Sequence, residues 1–239
     1  MTRTPRGGDA DLASGSWSRP RSWRVFGLRL IHLNVGLMLF GLSIALMLNG
    51  NVGLPAWDVF HQGVALRTPL TIGQAMILAG LALILVAWRV AAVRPGIGTV
   101  FNMATIGLWV DLFLAWTRFP VAEGGLAGWG LFAAGLLLNG LATGLYITAG
   151  LGAGPRDSFA LALADRLSVP VRRARTGVEL VVLATGWALG GTVGLGTLAF
   201  AIAIGPLMQT GLRLTQGLRR AYVRLDPGAA AVPTGDAPT

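Results

Sequence analysis

The sequence predicts an all-α fold: a polytopic membrane helix bundle of about six transmembrane helices plus two short re-entrant helices, built as an inverted tandem repeat. Three observations carry that expectation. The first is composition. The 239 residues are 54% hydrophobic and only 12% charged, with a mean hydropathy of +0.65. A soluble domain carries about a quarter charged residues, so a chain this poor in charge needs lipid as part of its solvent. The second is run length, because roughly 20 apolar residues in a helix cross about 30 Å of hydrocarbon. The third is a match of the chain to itself at a displacement of 99 residues.

Hydropathy gives spans near 28–49, 71–92, 97–117, 128–149, 174–192 and 195–214. Pro- and Gly-rich turns, RPGIG at 94–98 and GGTVGLG at 190–196, punctuate their boundaries. Residues 1–27 are rich in Arg, Gly and Ser and read as a disordered cytoplasmic arm. Residues 28–117 form a first membrane repeat and 118–127 an external linker. A second repeat covers 128–215, and 216–239 read as a largely disordered cytoplasmic tail. The first apolar run is too long for a signal-peptide core and has no small-residue cleavage site.

Two stretches remain, 55–67 and 155–167, which begin within GLPAWDVFHQG and GAGPRDSFALA respectively. Each reads as a helix of about 20 Å, too short to cross hydrocarbon alone. They are expected as re-entrant or broken half-helices shielded by protein. The Arg distribution agrees. With cytoplasmic termini and re-entrant short segments, Arg89, Arg94, Arg156, Arg166, Arg172, Arg173 and Arg175 fall inside with the tail arginines. Arg67 and Arg118 alone fall outside.

The self-match pairs 36–67 with 135–166, and eleven of the 32 positions are identical. Leu and Gly coincidences are cheap in apolar sequence, so the weight lies on Gly53/Gly152, Asp58/Asp157, Phe60/Phe159 and Arg67/Arg166. With one gap the match resumes as GIGT (96–99) against GLGT (194–197). Each unit holds three full spans and one short segment. Three is odd, so the second unit is expected upside down relative to the first, the architecture common among secondary transporters. Duplicated membrane proteins also arise without transport, and symmetry names no substrate.

The ordered set LPAWDVFHQG, RPGIGTVFN, GLGAGPRD, RTGVEL and VGLGT resembles the bacterial YczE/YitT-like family of integral membrane proteins, over roughly 28–210. The family's usual order is Pro-Trp-Asp, whereas here Ala56 intervenes in Pro55-Ala56-Trp57-Asp58. The resemblance implies a bacterial cytoplasmic-membrane protein and brings no reaction or catalytic residues with it.

The residues expected to bind a substrate or ion are Asp58, Asp157, Arg67, Arg166, His61, Gln62 and Asn102. Asp58 and Asp157 would form a symmetry-related carboxylate pair, since an ionisable group at membrane depth is a functional candidate by default. The plainer reading is that each follows a Pro at a helix start, where a carboxylate offsets unpaired N–H groups. Arg67 and Arg166 could clamp an anion, or end their short helices and snorkel to headgroups. His61 lies three residues after Asp58 and could relay a proton with Gln62; the second repeat has Ala160 in its place. His32 reads as interfacial and Asp111 as reaching water at the end of the third span. Glu179 reads as satisfied by Arg175 four residues earlier, and Asn102 as an amide that glues helices or lines a path. Gly140-x-x-x-Gly144 and Gly186-x-x-x-Gly190 permit close helix approach, a pattern common by chance among 35 glycines.

Several classes are excluded. All 19 basic residues are Arg and most border apolar runs, so the net charge of +9 orients the chain in a membrane and marks no nucleic-acid partner. No Cys is present, which removes disulfides and thiolate chemistry. No Walker lysine exists, no Ser/His/Asp arrangement is recognisable, and no cofactor or metal is expected. The chain is therefore read as no enzyme but a carrier of a small molecule or ion by alternating access. The alternative is a non-transporting scaffold or accessory protein that assists a partner. Its partners are the bilayer and the unnamed cargo, with homo-oligomerisation left open.

Overall fold

The computed structural model describes residues 22–91, 97–116, 120–122, 124–151 and 154–225. Among these every regular element is helical. The helices are α1 (Trp23–Gly50), α2 (Ala56–Arg67), α3 (Ile72–Ala91), α4 (Ile97–Ala115), α5 (Gly125–Thr148), α6 (Pro155–Leu167), α7 (Val171–Ala188) and α8 (Leu195–Leu225). Four are long and apolar enough to cross a membrane, over Trp23–Gly50, Ile72–Arg89, Gly125–Thr148 and Leu195–Tyr222. Thr99–Ala115 in α4 is apolar but shorter. The chain is a multi-pass membrane protein, and its outer surface agrees: Leu126, Trp187, Leu195 and Ile202 stand exposed where a soluble protein would carry charge.

Six comparable spans were expected, and α7 is the weakest of them. It has 18 residues, and Arg172, Arg173, Arg175 and Glu179 occupy its first half. The terminal boundaries also move. Helix α1 begins at Trp23, inside the stretch expected as an arm, with Ser22 as its cap and Trp23 edge-to-face on Phe26. Helix α8 runs on to Leu225 through residues assigned to the tail. Arg213, Arg219, Arg220 and Arg224 interrupt hydropathy there but are good helix formers. Pro206 lies inside α8, and the Thr210 hydroxyl donates to its carbonyl at 3.0 Å.

Packing centres on α1, which lies along α5, while α5 in turn lies along α8. Helix α4 packs between α1 and α3. The two short helices sit against the partner half: α2 on α7, and α6 on α3. Glycines set these distances. A Cβ on Gly36 would fall 2.7 Å from the Tyr146 nitrogen, and one on Gly135 2.7 Å from Met47 Cγ. Gly41 meets the Trp109 Cβ and Gly140 the Leu207 Cβ, each at 2.7 Å. Gly140 and Gly144 both face α8, so that spacing is a real contact. Of the other pair, only Gly186 packs, against Val59 and Phe60 of α2. Gly190 lies in the turn beyond α7 with φ of 99°.

Asp111 does not simply reach water. Its Oδ1 accepts from the Gly73 N–H at 2.8 Å and its Oδ2 from the Thr71 hydroxyl at 2.5 Å. Thr71 and Gln74 meanwhile bond reciprocally, a capping box at the start of α3. Asp111→Ala is expected to destabilise the folded protein by about 1–2 kcal/mol, because the α3 donors lose a charged acceptor. Thermal unfolding in one fixed detergent checks it, and an unchanged midpoint would contradict it.

Candidate functional site

The break between α1 and α2 is held from outside. Gly196 donates to the Val52 carbonyl at 2.9 Å, and Leu54 N–H donates to Thr197 Oγ1 at 3.1 Å. Between them Gly53 has φ of 126° and leaves no room for a side chain against the Thr197 nitrogen. Pro55 then opens α2, its carbonyl accepting from Asp58 and Val59 N–H, each at 2.9 Å. In the second half Pro155 is itself the first residue of α6. The inserted Ala56 is thus the first residue of α2, with Pro55 one step before it. Asp58 and Asp157 accordingly occupy the same third position of their helices.

Asp58 and His61 share one face of α2 and are almost wholly buried, at 3% and 1% exposure. Asp58 Oδ1 lies 3.6 Å from His61 Nδ1, beyond hydrogen-bond length. Both atoms are without a hydrogen-bond partner among the described residues. Aromatic rings of the same helix lie beside the imidazole: Trp57 and Phe60 have centroids 6.1 and 5.8 Å from it. The Arg156 guanidinium sits 4.9 Å over the Trp57 ring. A carboxylate, an imidazole and a guanidinium are thus gathered near the start of α2, where the Arg156 side chain of α6 reaches the Trp57 ring, in surroundings of low dielectric that strengthen the interactions of the buried groups.

The other expected residues divide. Gln62 Oε1 accepts from the Thr192 N–H at 2.6 Å, and Arg67 Nε donates to the Leu189 carbonyl at 3.0 Å. Both bonds tie α2 to the turn after α7. Arg166 is exposed on the last turn of α6, and Asn102 is buried on α4. The side chain of Asp157 lies outside the described residues. Glu179 is paired with Arg175 at 3.2 Å, as its spacing implies. No three His, Cys, Asp or Glu side chains converge among the described residues.

Trp57 and Arg156 were not among the expected site residues. A signal for them was present, since they coincide at the displacement of 99 residues. In sequence Arg156 reads as an orienting charge, whereas in the structure it lies half-buried on an aromatic face. The Trp57 ring also lines an open apolar groove of about 680 Å³ between α2, α3, α6 and α7.

Residues 27–212 match the model of a family of unknown function, DUF6198. The chain belongs to this family. Among similar proteins is the "Uncharacterized membrane protein YczE" of Bacillus subtilis (strain 168), 32% identical over 187 residues, 77% of this chain and 86% of that one. An "Uncharacterized protein" of Haemophilus influenzae is 33% identical over 195 residues, 81% of this chain and 88% of that one. The B. subtilis "Uncharacterized protein YyaS" is 23% identical over 172 residues, 72% of this chain and 86% of its own length. No solved structure matches. The YczE-like resemblance read from the motifs is therefore correct, and the DUF6198 match covers both short helices and every residue of the site.

Proposed function

We propose that this protein is a secondary-transporter-like carrier of a small molecule or ion, working by alternating access between two inverted halves in the bacterial cytoplasmic membrane, with both termini cytoplasmic. The observation that carries this reading is the buried Asp58–His61 pair at the start of a half-helix, beside the Trp57–Arg156 contact. Burying a carboxylate oxygen such as Asp58 Oδ1 without a hydrogen bond is costly, and an ionisable group at membrane depth is a functional candidate by default. A proton taken up by the pair would remove that charge and ease the movement of α2 against its neighbours.

Contacts matched across the two halves support the repeat. Gly36 on Tyr146 corresponds, at the displacement of 99 residues, to Met47 on Gly135. Gly50 on Gly128 corresponds to Ala149 on Arg29. Trp57 and Arg156 are each other's counterparts and touch. Pairs exchanged in this way are what a two-fold axis between α1 and α5 produces, and an odd number of spans per unit makes that axis lie in the membrane plane.

One observation stands on the side of a scaffold that assists a partner protein: the groove beside the Asp58–His61 pair is apolar. The test separates the two readings. Purified protein in proteoliposomes with a trapped pH dye is challenged with a panel of amino acids, organic acids and organic cations. Solute-driven proton flux is expected for the natural sequence, falling to that of empty vesicles in Asp58→Asn with folding intact. Flux undiminished in Asp58→Asn overturns the paired centre. No flux for any solute, with a protein retained on the purified chain, favours the scaffold.

A further inference from the structure

The groove beside Trp57 is lined by α2, α3, α6 and α7 and is almost wholly apolar, with Phe60, Leu83, Phe159 and Val178 among its walls. Its volume of about 680 Å³ lies within the range of roughly 300–1,000 Å³ typical of ligand sites. Its two ends differ. At one end stand Trp57 and Phe60. At the other, Leu167, Val169 and Arg173 form the corner where α6 turns into α7. That corner is basic: Arg166, Arg172 and Arg173 are exposed around it, with Asp165 the exposed acid beside them. Along α7 the wall runs from Arg173 to Val182, about 14 Å at the helical rise. This is close to half of the roughly 30 Å hydrocarbon thickness, the depth of one leaflet.

We propose that the groove is a binding site for an anionic phospholipid, one acyl chain lying along α7 and its phosphate meeting Arg173. Apolar walls suit an acyl chain, one leaflet's depth suits its length, and the arginines at the open corner suit a negative headgroup. Facing lipid, the site fills from the bilayer itself and needs no soluble ligand. Occupancy bears on α2 through Trp57, whose ring is shared between this groove and the Arg156 contact. The site does not rest on the carrier reading, and either can fail alone.

The experiment reads quenching of Trp57 by phospholipids brominated on the acyl chain, added to the detergent-purified full chain. Its contribution is isolated by subtracting Trp57→Phe, since the chain has eight Trp. Brominated phosphatidylglycerol is expected to quench Trp57 saturably, and brominated phosphatidylcholine to do so only at higher concentration. Arg173→Gln should weaken the phosphatidylglycerol effect roughly five-fold, the loss of one arginine–headgroup attraction. Gly177→Phe should abolish it. A Cβ on Gly177 meets nothing within 4 Å, so the added side chain starts from open space in the wall of the groove. Leu83→Phe, which narrows the groove from α3, is the second blocking variant should the first not fold. Equal quenching by the two lipids, or quenching that survives both blocking variants, overturns the proposal. So does a groove covered by a second copy of the chain, shown by a change of mass in light scattering with Gly177→Phe and no dependence on lipid.

Discussion

Gly144→Leu is expected to destabilise the protein by about 3 kcal/mol or more, the upper range for overpacking. A Cβ at Gly144 would fall 2.3 Å from the Gly211 carbonyl carbon, and the reverse approach, from Gly211 to the Gly140 oxygen, is 2.1 Å. Both obstacles are backbone, so no side chain can turn aside and α5 and α8 must separate along their seam. That separation forfeits the dispersion contacts which hold helices together in lipid, where no hydrophobic driving force replaces them. Gly205→Ala serves as the control. Its Cβ meets nothing within 4 Å, and in a helix interior alanine is worth roughly 0.5–1 kcal/mol over glycine. It is therefore expected to leave stability unchanged or raise it. Heat-induced loss of monomer in a fixed detergent reads both. Equal effects from the two would refute the seam.

Arg29→Leu is expected to destabilise by about 2–3 kcal/mol, the range for stranding acceptors of a charged hydrogen bond. Arg29 lies buried in α1, yet its Nε donates to the Ala149 carbonyl at 2.8 Å and its guanidinium also to that of Gly150. These are carbonyls at the end of α5, where the last turn has no intrahelical donors and a positive charge is favoured. Leucine keeps the aliphatic bulk and removes both bonds. Arg29→Lys should recover only part of the loss, because an ammonium cannot present two N–H groups in a fixed fork. If leucine proves neutral, water already satisfies these carbonyls and the clasp is not structural.

Much of the architecture was legible because its causes are local. Apolar run length locates spans, Pro55 and Pro155 mark the starts of the short helices, and the i,i+4 spacing of Arg175 and Glu179 is itself a contact. The one-residue offset of Pro55 was visible as the inserted Ala56, and it resolves as a proline one step before the helix rather than in it. What escaped depends on neighbours distant in sequence. Asp111 read as solvent-facing because the α3 start that uses it is some 40 positions away. The bonds of Gln62 to Thr192 and of Arg67 to Leu189 likewise span more than a hundred positions. Hydropathy ended α8 too early, since it scores Arg as an exit from lipid while the helix backbone is indifferent to it.

By itself the sequence determined the solvent, the helical class and the two breaks, because composition and period are properties of one strand of chain. Only tertiary structure decided which polar groups are spent on holding the breaks and which remain. It joined Asp58 to His61, laid Arg156 on Trp57 and left an apolar groove with a basic mouth beside them. Such groupings depend on how closely glycine-lined helices approach, and that distance is set by backbone meeting backbone across the bundle, not by any residue's own preference.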